Sequence, residues 1–179
     1  MNCLKVAKIK HTNYTHITHK SIPIFIDNNS KILILGSLLS VKTREVGFYY
    51  GRPRNRFFKV LSSIFNIEEP ITIEDRKKLL REHNIALYDV IYECDIYGSS
   101  DSSIKNPIVI NIKDILIKYP NIKCIGVNGG KAKELFDRYL LDDVNRFDVE
   151  AFYLPSTSPA NARMGVDELM KYYSALFNK

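Results

Sequence analysis

The chain has 179 residues, a hydrophobic fraction of 45% and a formal charge of +6. That length suits one domain with a real core and is short for two. No apolar run approaches what a bilayer crossing needs, and the start lacks the apolar core and cleavage site of a secretory signal, so the expected location is the cytoplasm. The basic balance favours a polyanionic partner only mildly. Cys3, Cys94 and Cys124 are scattered, two of them inside apolar strand-like runs, which points to buried free thiols rather than a disulfide or a zinc site.

In chain order, residues 1–30 carry polar and basic side chains without firm periodicity, including His11, His16 and His19 in HTNYTHITH. A metal site is one reading of these histidines. A surface strand with alternating Thr and His is the other, favoured because no Cys or carboxylate joins the cluster. SIPIFI, residues 21–26, reads as a segment packed against the core, and Asp27 to Ser30 as a turn. Ile32 to Gly36 (ILILG) reads as a buried strand ending at a glycine, followed by a Ser-rich turn from Ser37 to Ser40. Next comes GFYYGRPRNRFF, where Phe48, Tyr49 and Tyr50 lie beside Arg52, Arg54, Asn55 and Arg56. Rings interleaved with cations suit the holding of a base and its phosphates. Phe57, Phe58, Val60 and Leu61 supply the apolar side of a helix.

Thr72 with Asp75 reads as an N-cap and a first-turn carboxylate for a helix through DRKKLLREHN, ending near Asn84. Ile85 to Ile91 (IALYDVI) is a second predicted strand, leading into the polar loop ECDIYGSSDSSI. Pro107 opens a further segment, and NIKDILIKYP is a short predicted helix stopped before Pro120. Asn121 to Val127 is a third strand, followed by Asn128-Gly129-Gly130 and the helix KAKELFDRYLL. Asp148 to Leu154 is the fourth, followed by PSTSPANAR and a last helix over 166–177. Strands alternating with helices predict an α/β fold: a four-stranded, mainly parallel sheet in a three-layer α/β/α arrangement. All four strand-end loops then share one edge and form one composite cleft.

Two nucleotide-site patterns fail. Gly126 to Ala132 superficially has P-loop character, but it is one residue short and puts Ala132 where a Mg²⁺-binding hydroxyl is required. No GxSxG elbow marks any serine as a hydrolase nucleophile.

GSLLS after the first strand, GFYYGRPRNRFF after it, and LPSTSPANAR after the fourth together resemble the uracil-DNA glycosylase superfamily. The resemblance is greatest to its hypoxanthine (deoxyinosine) DNA glycosylase branch, itself similar to the mismatch-specific uracil glycosylases. It covers the chain from about Lys31 onward, including LYDVI and VNGGKA, and implies a glycosylase-like fold. It also implies base excision from DNA by hydrolysis, with the target nucleotide extruded into a pocket. Gly36, Ser37 and Leu38 would line that pocket, their backbone amides facing charge that develops on the departing base. Phe48, Tyr49 or Tyr50 would stack on the base, core packing being the alternative. Many superfamily members carry an Asp or Asn in the first loop, where Leu38 stands here. The hypoxanthine branch resembles this chain in lacking that residue and in having the PxN of Pro53-Arg54-Asn55. Asn55 is therefore the expected catalytic residue, positioning the water or the base, with a helix N-cap as its other reading.

The last loop resembles the motif that grips the phosphate backbone and sends a wedge into the duplex. Ser156, Thr157 and Ser158 would meet phosphates, Asn161, Ala162 or Arg163 would fill the space left by the base, and Arg52 and Arg54 would contact DNA. Leu154 stands where many members have His or Asn, so no catalytic imidazole is expected there. Leu39 and Phe58 replace a common Pro and Trp. Asp89, inside an apolar strand, is expected to satisfy backbone donors, while Asp101 and Asn128 are placed to reach the cleft. The reading is thus one glycosylase domain over 1–179, with 1–30 an extension packed on the core. It predicts a monofunctional enzyme that releases a deaminated base, hypoxanthine first, with uracil or xanthine as further candidates, and leaves an abasic site. No cofactor, metal, membrane or obligatory protein partner is expected, and a monomer is the default. A catalytically idle DNA-binding module and an enzyme of free nucleotides are the rival readings.

Overall fold

The computed structural model describes residues 14–98 and 103–177. His11, Cys3 and Asp101 lie outside the described residues. The core of the fold is a parallel sheet of four strands, β2 (Ile32–Gly36), β3 (Ile85–Asp89), β6 (Cys124–Asn128) and β7 (Glu150–Leu154), in the order β3-β2-β6-β7. β2 is apolar throughout because it is central and covered on both faces. Its register sets Ile32 opposite Ile85 and Cys124, and Gly36 opposite Asp89. The sheet is thus the predicted one: β2 has its expected bounds, and the other three strands differ from theirs by one to three residues at an end.

The helices follow from identifiable caps. α1 (Val41–Val46), which the sequence pattern did not reveal, starts at Ser40, whose hydroxyl accepts from the Thr43 N–H, and ends at Gly47 in left-handed backbone. α2 (Phe57–Phe65) buries Phe57, Phe58, Val60 and Leu61 and packs on α7 (Val166–Tyr173). α3 (Ile73–Glu82) opens with a full capping box between Thr72 and Asp75. α4 (Ile112–Lys118), α5 (Gly130–Tyr139) and the single turn α6 (Leu141–Val144) complete the layers. Among the described residues no helix is long and apolar enough to cross a membrane.

A second sheet was not expected. It is antiparallel, with order β1-β4-β5, and joins β1 (Tyr14–Thr18), β4 (Ile91–Tyr97) and β5 (Lys105–Val109). The predicted strand IALYDVI is in fact two strands. Val90 and Ile91 donate their N–H groups to the carbonyls of Gly36 and Ser37, and there the chain leaves the parallel sheet for the smaller one. ECDIY, read as loop, is most of β4, and Pro107 sits on the edge strand β5, where a missing N–H costs no ladder bond. The segment before β2 is anchored by Phe25, which exchanges backbone hydrogen bonds with Leu87. Cys94 and Cys124 are buried, and neither forms a disulfide among the described residues.

Candidate active site

The carboxyl ends of β2, β3 and β6 open into a cavity of about 630 Å³, within the usual range for small-ligand sites. Its walls come from the first loop (Gly36, Ser37, Leu38), from α1, from the 49–55 segment, from Asp89, from Asn128 and from the loop after β7. Ile17, Ile96 and Gly98 reach it from the antiparallel sheet.

Asn128, the last residue of β6, donates from Nδ2 to the Tyr50 hydroxyl at 3.0 Å. Its Oδ1 is left buried without a partner, a costly state unless a ligand supplies a donor. Tyr50 lies face to face with Phe57, ring centres 3.8 Å apart, on a backbone with φ of +54° that an aromatic residue rarely adopts. Burial, above all, raises the Tyr50 hydroxyl well beyond its ordinary range, so it stays protonated and can donate in turn. Asn55 Oδ1 accepts from the Phe57 N–H at 2.9 Å, capping the start of α2. Its Nδ2 has no partner among the described residues, and the residue lines the cavity. Of the two expectations for Asn55, the structural one is met by Oδ1 at the start of α2, and Nδ2 is left free beside the cavity.

Asp89 corrects the expectation attached to it. Instead of satisfying backbone donors, it lies 7% exposed in the cavity wall, with Oδ2 3.2 Å from His19 Nε2. That contact is at ion-pair distance without the alignment of a hydrogen bond. His19 Nδ1 is 2.9 Å from the Ile22 carbonyl, and its ring meets the edge of Tyr88 at 4.6 Å. His19 therefore departs from the surface strand read for the N-terminal histidines, whereas His16 is on one: it is exposed on β1, between Asp95 at 2.9 Å and Glu93 at 3.2 Å. Among the described residues no group of three or more metal-binding side chains forms.

The loop after β7 is held by Arg56. Its guanidinium donates to the carbonyls of Ser158 at 2.7 Å, Asn161 at 2.8 Å and Thr157 at 3.3 Å, and also to that of Met164. Its own N–H adds a bond to Thr157.

This arrangement has counterparts among known proteins. A hypoxanthine DNA glycosylase of Methanosarcina acetivorans is 32% identical over 146 residues, 80% of this chain and 89% of that protein. The chain belongs to the hypoxanthine DNA glycosylase family, and with it to the uracil-DNA glycosylase superfamily. A second hypoxanthine DNA glycosylase, from Methanosarcina barkeri, is 33% identical over 119 residues, 64% of this chain and 73% of its own. A solution NMR structure of a candidate uracil DNA glycosylase from Methanosarcina acetivorans superposes with a TM-score of 0.74 at 28% identity, over 87% of this chain and 94% of that one. No protein-family model matches the chain.

In this hypoxanthine DNA glycosylase family member the expected pocket residues Gly36, Ser37, Leu38, Tyr49, Tyr50, Asn55 and Asn128 do come together. Phe48 does not. It is core, edge-on to Phe25 and Tyr49, and stays out of the cavity walls. Tyr49 is also largely core, with its hydroxyl on the Pro23 carbonyl. Of the expected DNA contacts, Arg52, Arg54 and Arg163 are exposed, Arg52 on the cavity wall, and Ser156 and Ser158 line the cavity. Thr157 also lines the cavity, 1% exposed and with its Oγ1 buried without a hydrogen-bond partner. Asn161 turns its Nδ2 back onto the Ser156 carbonyl and braces the loop rather than reaching outward. Arg56, Asp89 and His19 are the residues that sequence reasoning missed.

Proposed function

We propose that this chain is a monofunctional DNA glycosylase of the cytoplasm. It takes a deaminated base, hypoxanthine by preference, out of duplex DNA and hydrolyses its N-glycosidic bond to leave an abasic site. The observation that carries this reading is the Asn128–Tyr50 pair. With Nδ2 committed to Tyr50, Asn128 offers only an acceptor, Oδ1, to whatever enters. A lactam N–H, present in hypoxanthine and uracil and absent from adenine, is the donor that acceptor fits. Extrusion costs a few kcal/mol of stacking, offset by Arg52, Arg54 and Arg163 on the phosphates and by Ser156 and Ser158 at the cavity mouth. The free Nδ2 of Asn55 then orients the attacking water or the base, with no Schiff-base lysine, metal or cofactor required.

The test is strand cleavage in EDTA, on labelled duplexes carrying one hypoxanthine, uracil or xanthine, followed by alkali. Excision of hypoxanthine is expected, with Asn55→Ala retaining DNA affinity while losing about 100-fold or more in single-turnover rate. Excision of uracil alone would refute the preference. Binding without cleavage of any substrate would refute the enzyme.

A further inference from the structure

The Asn55 amide leaves one chemical requirement unmet. Its only free polar atom is a donor, yet the attacking water must lose a proton, and a donor cannot take it. Leu38, in the first loop, has no polar side-chain atom to offer. Two carboxylates line the cavity. Glu45, on α1, is exposed and paired with Lys42 at 2.9 Å. Asp89 is buried, and its Oδ1 sits so close to Gly36 that a Cβ there would stand 2.2 Å from it. Asp89 ends β3 directly opposite Gly36, the residue that ends β2 and opens the first loop. A carboxylate absent from the first loop thus stands one strand away.

The state of that carboxylate follows from its neighbour. A carbonyl oxygen only accepts, so His19 Nδ1, 2.9 Å from Ile22 O, must carry a proton. If that were its only proton, a lone pair on Nε2 would confront Asp89 Oδ2 at 3.2 Å. A second proton, on Nε2, turns that repulsion into an attraction between imidazolium and carboxylate. Titratable or charged groups facing the pair are Tyr49, Tyr88 and Tyr92 around the imidazole ring and Tyr50 beside Asp89. Lys42, Arg44, Glu45 and Arg52 lie on the cavity walls. Burial raises the hydroxyls of Tyr49, Tyr50 and Tyr88, which stay neutral, so His19 is the cation nearest the carboxylate within the pair.

We propose that Asp89 is the proton acceptor of the glycosylase reaction, and that His19 is the positioning residue that keeps it ionised. This rests on the activity proposed above. As the water oxygen bonds to C1′ of the sugar, one water proton passes to Asp89 Oδ1. The C1′–N bond breaks with its electron pair going to the base, and the departing base anion later recovers that proton. His19 keeps its own protons throughout.

Asp89→Asn tests this in the full chain. The Asn Nδ2 can donate to a neutral His19 Nε2, so the local fold is preserved while the proton acceptor is removed. Single-turnover excision of hypoxanthine is expected to fall about 100-fold or more, with affinity for the duplex unchanged. The wild-type rate should rise with pH along an acid limb that vanishes in the variant. His19→Gln, which removes the cation but keeps Asp89, should move that limb to higher pH and recover much of the rate in alkaline buffer. An Asp89→Asn rate within about threefold of wild type, a loss confined to DNA affinity, or an acid limb unmoved in His19→Gln would each overturn the assignment while leaving the glycosylase reading intact. A wild-type chain that excises no base would instead remove both.

Discussion

Arg56→Ala deletes the guanidinium that reaches four carbonyls of the loop after β7 and leaves the main-chain bond from the Arg56 N–H to Thr157 in place. A hydrogen bond from a charged donor contributes about 1.5–3 kcal/mol net. Four such bonds do not add up, because one guanidinium is desolvated once and the freed carbonyls, partly exposed, regain water. A total near 2–3 kcal/mol is the reasonable magnitude. That corresponds to a factor of about 30 to 150 in the balance between an ordered and an open loop. Amide hydrogen exchange over residues 156–164 should accelerate by that factor, while exchange in β2 and β6 should change far less. Affinity for a duplex bearing a non-hydrolysable target should weaken with it, since the loop carries Ser156 and Ser158. Arg56→Lys keeps the charge, but an ammonium cannot span four carbonyls, and it should recover no more than about half of the loss. An Arg56→Ala protein whose loop exchange is unaltered, with unfolding free energy shifted by less than about 0.5 kcal/mol in urea, would refute the view that this side chain orders the loop.

Two further predictions follow from close contacts. Gly36→Ala puts a Cβ 2.2 Å from Asp89 Oδ1, a carboxylate that His19 prevents from swinging freely. The cost should be about 1–3 kcal/mol in urea unfolding, together with a loss of excision, and a fully active, equally stable variant would sink the placement of Asp89. His16 on β1 is raised above the ordinary histidine value of 6.5, chiefly by its hydrogen bond to Asp95. Its contribution is complete below that ordinary value and is lost as pH rises through the higher folded one. Asp95 is lowered, by Asn106 first and His16 next, so its contribution is present above the ordinary carboxylate value and is lost as pH falls through the lower folded one. The β1–β4 pairing should therefore be tightest between about pH 4 and 6.5, seen as slowest amide exchange in β1. A His16 that titrates at or below 6.5 by NMR would contradict this.

The parallel sheet was legible because its strands are buried on both faces and read as unbroken apolar runs, ILILG being the plainest. The antiparallel sheet was hidden by the opposite property. Glu93 and Asp95 of β4 turn outward to meet His16, so half of the strand looks like a polar loop. Nothing in IALYDVI announces that the chain changes sheets at Val90, since both halves are equally apolar. Asn55, Asn128 and the serines could be found from their place after a strand or before a helix. His19 could not, because the alternation of YTHIT belongs to β1 and stops where a turn of 3-10 helix over His19–Ser21 folds the ring inward. Asn161 misled for a related reason. A Ser/Thr/Asn-rich loop advertises hydroxyls and amides, but only the fold decides which face solvent and which, like the carbonyls bound to Arg56, hold the loop together.

The cavity draws on both sheets: Gly36, Asp89 and Asn128 from the larger, Ile17, Ile96 and Gly98 from the smaller side, and β1 leads directly into His19. Three short strands with one edge bearing a proline open at lower free energy than a buried parallel sheet does. Catalytic competence is thereby tied to the weaker of the two units. On warming, or at extremes of pH, the ensemble would lose its assembled cavity wall while the global melting transition was still some degrees away, and its working range would be narrower than its range of folding.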